Sequence, residues 1–89
     1  MRTWHIHIKG RVQGVGFRPY VYKLAQEFQL HGWVKNTLTG VHVEYNASER
    51  KAENFHNFLI KNPPDLSIIT GHHFFEVERK VYNSFKSLV

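Results

Sequence analysis

Trp4, Ile6 and Ile8 alternate with His5, His7 and Lys9 near the start of the chain. A period of two predicts a strand with one apolar and one polar face. Val21, Leu24, Ala25 and Phe28 then recur at i, i+3, i+4 and i+7. That spacing predicts an amphipathic helix, with Pro19 at its first position and Gly32 ending the pattern. Trp33 to Asn36 and Val41 to Tyr45 read as two strands joined by the turn Thr37-Leu38-Thr39-Gly40. On the second of these, Val41, Val43 and Tyr45 point to the core, and His42 and Glu44 point away. Ser48 suits the N-cap of a second helix, in which Ala52, Phe55 and Leu59 form a stripe with Phe58 beside it. Asn62-Pro63-Pro64 stops that helix. Ile68 to Glu78 predicts a further strand whose register the pattern leaves open, and Phe85 to Val89 a short last one.

The order is β-α-β-β-α-β plus a terminal strand, with no repeat or linker, so residues 1–89 form a single domain. Two helices in so short a chain cover one face of one sheet. The expected fold is α+β, a ferredoxin-like βαββαβ sandwich with an antiparallel sheet and both helices on one face. His5, His7, His42 and Glu44 are expected on the open face.

Three glycines fall in the seven residues Gly10-Arg11-Val12-Gln13-Gly14-Val15-Gly16, between the first strand and the first helix. Successive main-chain N–H groups in such a turn can hold an anion, and a helix N-terminus adds a positive dipole end. Arg18 stands at the mouth of the turn, and its planar charged fork matches two phosphate oxygens. Preceding Pro19, its backbone is expected outside the helical region. The structural alternative, a plain turn with a solvated arginine, carries equal weight on these residues alone. The spacing fits neither a Walker A loop nor a dinucleotide fingerprint.

Charge supports anionic partners: 12 Lys and Arg against 7 Asp and Glu give a formal charge of +5. The absence of Cys excludes a disulfide scaffold, a thiolate nucleophile and a cysteine zinc site. No apolar run reaches the ~20 residues of a membrane helix, and the alternating N-terminus is unlike a signal peptide. A cytoplasmic location is expected, with no membrane partner.

Gly10-Arg11-Val12-Gln13-Gly14-Val15-Gly16-Phe17-Arg18 resembles the signature of the acylphosphatases. Gly32-Trp33-Val34-Lys35-Asn36 with Gly40-Val41-His42-Val43-Glu44 resembles their second block, and the likeness runs from about Trp4 to Phe85. Phe17-Arg18-Pro19-Tyr20-Val21 and Asn62-Pro63-Pro64-Asp65-Leu66 are more similar still to the N-terminal acylphosphatase-like domain of the hydrogenase maturation carbamoyltransferases. Free-standing acylphosphatases usually lack the proline after the arginine. The resemblance implies hydrolysis of acyl phosphates to carboxylate and inorganic phosphate without a cofactor or metal. In the carbamoyltransferase setting it implies carbamoyl phosphate as the substrate, and further domains of a longer chain packed on the open face.

Residue by residue, the resemblance implies that Arg18 binds phosphate and Asn36 positions the attacking water. It implies that the N–H groups of Val12, Gln13, Gly14, Val15, Gly16 and Phe17 cradle the phosphate. By itself Asn36 reads as a strand-ending residue before a turn, a common place for Asn. Lys35, next to it, alternates to the other face and reads as solvated. Two departures stand out. Thr39 replaces the usual Asp of the hairpin turn, and Ser87 falls where an apolar residue is usual, which leaves the packing of the last strand open.

Three alternatives remain beside the carbamoyltransferase domain: a free-standing acylphosphatase, a non-catalytic phosphate-binding domain, and a nucleic-acid binder of the same fold. The last lacks the aromatic pattern of RNA recognition strands, so no nucleic-acid partner is expected. His5, His7, His42 and Glu44 could together ligate a metal, but no metal-binding spacing supports it and a polar face is the plainer reading.

Overall fold

A computed structural model describes residues 1–89. The elements are β1 (Arg2–Arg11), α1 (Phe17–Glu27), β2 (His31–Thr37), β3 (Gly40–Ala47), α2 (Glu49–Lys61), β4 (Ile68–Val77) and β5 (Phe85–Leu88). They form one sheet in the order β4-β1-β3-β2-β5. The ferredoxin-like α+β arrangement is as expected, with one amendment: β5 pairs parallel to β2, so the sheet is mixed. The chain passes from β4 at one edge to β5 at the other, and that crossing sets the direction of β5.

Trp4, Ile6 and Ile8 of β1, Val34 of β2 and Val41, Val43 and Tyr45 of β3 are buried beneath Phe17, Val21, Leu24 and Ala25 of α1 and Ala52, Phe55 and Leu59 of α2. Ser48 caps α2 by accepting from the Lys51 N–H. The Tyr45 hydroxyl donates to the Ala52 carbonyl at 2.9 Å, tying β3 to the first turn of α2. Phe58 stays 44% exposed, at the margin of the helical stripe.

Four expectations need correction. The first helix begins at Phe17, with Gly16 as N-cap, and the Tyr20 N–H closes its first turn on the Gly16 carbonyl at 3.2 Å. Pro19 is thus the third helical residue. It costs nothing there, because the first four N–H groups of a helix lack partners anyway. Arg18 is accordingly wound into the helix, where the pre-proline preference had placed it outside.

The helix also ends before Gly32: Gln29 takes the positive φ of 57° at its C-terminus. Gly32 lies inside β2, where a Cβ would come within 1.9 Å of the Glu44 carbonyl oxygen. In β4 the register shifts at Lys9/Gly10, where Thr70 is left unpaired between Ile69 and Gly71. That bulge inverts the face of every side chain beyond it, which is why a single alternation could not be read there.

The last correction concerns the open face. His5, His7 and His42 lie there as expected, but Glu44 is only 3% exposed. The connection from β4 to β5 folds over it, so its carboxylate accepts from the Tyr82 hydroxyl and lies 3.2 Å from Lys80 Nζ. Its other oxygen is 2.9 Å from His5 Nδ1. Thr3 and Asn46 hold the same connection through the Lys80 main chain and the Tyr82 N–H.

Candidate active site

The turn from β1 into α1 is pinned by its apolar side chains. Val12 and Phe17 are each 1% exposed, and Val15 packs against the core between them. With these three turned inward, the main chain of residues 12–16 lines the surface. No N–H of Val12 to Gly16 donates to a main-chain carbonyl. Gly14 and Gly16 have φ of 72° and 81°, the left-handed region that side chains avoid. A Cβ at either would meet nothing within 4 Å, so backbone angle alone selects glycine and the space before the loop is open. N–H groups without main-chain acceptors, in a loop beside open space at a helix start, suit an anion.

Arg18, in the first turn of α1, donates from Nη1 to the Leu88 carbonyl of β5 at 2.7 Å. Leu88 is paired with Lys35, the residue before Asn36. On the other side, Gln13 donates from Nε2 to the carbonyl of Thr37, the residue after Asn36. Gln13 thus ties the loop to the residue after Asn36, and Arg18 is tied to the strand that pairs with the residue before it. Asn36 itself alternates with Lys35 and shares the helix-covered face with Val34. Its Oδ1 is buried without a hydrogen-bond partner. Lys35 is exposed on the other face, as expected, paired with His42.

Two of these contacts were not legible beforehand. Gln13 drew notice for its N–H and not its side chain, and the Leu88 acceptor is main chain, which no sequence pattern marks.

The open face carries a separate network. Glu44 can only accept, so His5 presents a protonated Nδ1 to it. His5 Nε2 lies 2.9 Å from His42 Nδ1, and His42 Nε2 lies 3.4 Å from the Thr39 hydroxyl. The His7 ring stacks on that of His42 with centroids 4.0 Å apart. Burial, then His7, His5 and Lys35, holds the His42 imidazole below the usual histidine range. Burial alone would raise Glu44, but hydrogen bonds from Tyr82, His5 and Lys80 outweigh it and hold the carboxyl below its usual range. These rings are bonded and stacked on one another, and no group of three or more His, Asp or Glu is arranged to hold a metal ion. No helix is long and apolar enough to cross a membrane.

The acylphosphatase family model matches residues 4–87. Carbamoyltransferase HypF of Synechocystis sp. is 46% identical over 69 residues, which are 78% of this chain and 9% of that protein. A crystal structure of full-length HypF in the phosphate- and nucleotide-bound form superposes with a TM-score of 0.94 at 41% identity, covering 99% of this chain and 12% of that one. The crystal structure of acylphosphatase from Bacillus subtilis superposes with a TM-score of 0.90 at 31% identity, with both chains covered in full. The chain therefore spans about a tenth of the length of the carbamoyltransferases it matches and the whole of an acylphosphatase.

Proposed function

The chain belongs to the acylphosphatase family, a family of hydrolases acting on acid anhydrides, and on that footing we propose how its own residues carry out the reaction. The N–H groups of Val12 to Phe17 and the Arg18 guanidinium hold the phosphoryl group of an acyl phosphate. Asn36 holds a water beside it through its side-chain amide. The water oxygen bonds to phosphorus, and the bond from phosphorus to the carboxylate oxygen breaks. The carboxylate leaves with the electron pair, and the water proton passes to a phosphoryl oxygen. A carboxylate is a good leaving group, so no strong general base is required. The protein supplies position and positive charge, which is most of what phosphoryl transfer needs.

The observation that carries this reading is the setting of Asn36. Gln13 and Arg18 bond to Thr37 and to the strand partner of Lys35, while the Asn36 Oδ1 is left without a partner. Release of phosphate from acetyl phosphate, compared between the wild type, Arg18→Ala and Asn36→Ala, tests it. Wild-type turnover in both variants would overturn it.

A second reading is favoured by Pro19 and by the 46% identity to a carbamoyltransferase HypF. Here the chain is the N-terminal domain of a longer carbamoyltransferase, and its acyl phosphate is carbamoyl phosphate. The surface of exposed His73 and Phe75, with the half-buried His7 and His42, would then face other domains. A kcat/KM for carbamoyl phosphate at least about tenfold above that for acetyl phosphate supports this reading, and the reverse order overturns it.

A further inference from the structure

At the end of the sheet away from the first loop lies a recess of about 210 Å³. It sits between the start of β2, the first turn of α2 and the connection from β4 to β5. His31, Lys51, Arg79 and Lys80 line it, with Asn46 and Tyr82, and neither Asp nor Glu does. Lys80 is already committed to Glu44 at 3.2 Å. Arg79 uses Nε on the Met1 carbonyl at 3.2 Å, which leaves its two Nη groups. Lys51 and His31 have no ion-pair partner.

Gathering cations without a counter-ion costs free energy. Lys51 adds to that cost, since it stands in the first turn of α2, where the helix dipole disfavours a positive side chain. An anion in the recess would turn the repulsion among Lys51, Arg79 and a protonated His31 into attraction. The volume is below the roughly 300–1,000 Å³ of sites for drug-sized ligands, so it suits a small ion and not a nucleotide.

We propose that this recess is a second anion site, taking inorganic phosphate or a small phosphomonoester, distinct from the loop at the other end of the sheet. Lys51 and Arg79 supply the charge, and His31 adds to it when protonated. The proposal does not depend on the reaction assigned to the first loop.

The test is a residue-resolved amide NMR titration of the 89-residue chain with inorganic phosphate at constant ionic strength. Saturable shifts are expected at His31, Lys51 and Lys80, with a Kd separate from that read at Gly14 and Gly16. The double variant Lys51→Gln/Arg79→Gln should weaken the first curve by at least about tenfold, as expected when charge-assisted bonds are lost. It should leave the second curve unchanged. Shifts confined to residues 12–18, or a non-saturating drift at Lys51 equal to that given by chloride, would overturn the proposal in the wild type alone. Saturation at Lys51 with a silent loop would instead sink the first-loop assignment and leave this one standing.

Discussion

Arg18 on α1 donates to the carbonyl oxygen of Leu88 on β5 at 2.7 Å, joining the first helix to the last strand across 70 residues of sequence. If Arg18 takes the proposed role, this bond would hold a rotamer-rich side chain in place before phosphate arrives and so lower the entropic cost of binding. Arg18→Ala is expected to cut kcat/KM on acetyl phosphate by at least ~100-fold, the order seen when one donor to a developing charge is removed. Arg18→Lys should recover only part, because an ammonium lacks the planar fork. Steady-state kinetics on both variants checks this.

Asn36 is assigned to water and not to phosphate. Asn36→Ala should therefore lower kcat while leaving the inhibition constant for inorganic phosphate within about twofold. A parallel loss of phosphate affinity would place Asn36 in the cradle instead.

Glu44 ties the connection before β5 to the open face of the sheet. Glu44→Gln should destabilise the chain by about 1.5–3 kcal/mol, the range for hydrogen bonds to a charged group. The roughly 3–5 kcal/mol of a broken buried pair is not expected, because Lys80 is 58% exposed and stays hydrated. Urea denaturation at neutral pH measures the difference. Since the folded carboxyl titrates below its usual range, this contribution is complete above the unfolded value of about 4.3. It is lost as pH falls below that.

His42 and His56 titrate below the usual histidine range when folded, both chiefly through burial, with His7, His5 and Lys35 adding for the first and His72 for the second. The unfolded chain therefore binds protons that the folded chain refuses, and stability must fall as pH drops through about 6.5. Denaturation midpoints at pH 7.5 and 5.5 should differ in that direction. The difference should shrink in His42→Gln/His56→Phe.

The strands and helices were legible because each carries its own period: Trp4, Ile6 and Ile8 for β1, and Val21, Leu24 and Ala25 for α1. What escaped depends on residues far apart in the chain. The burial of Glu44 requires Tyr82 and Lys80 to fold back over β3, and nothing near Glu44 announces it. The shift in β4 is set by pairing with Lys9 and Gly10, not by the composition of β4. The helical placement of Arg18 came from Gly16, whose left-handed angle starts α1 two residues before the proline that seemed to mark it. For the proposed site, Val12 to Phe17, Arg18 and Asn36 stand out in the sequence through the resemblance alone, while the Gln13 to Thr37 bond that draws the loop toward Asn36 depends on the fold.

The central claim is that the main-chain amides of the first loop and Arg18 grip a phosphoryl group, and a crystal of this chain soaked in inorganic phosphate tests it most directly. The account predicts a phosphate ion within hydrogen-bond distance of several N–H groups of residues 12–17 and of the Arg18 guanidinium, with the Asn36 amide facing it. A loop left empty at saturating phosphate, with Arg18 directed only at Leu88, would contradict it.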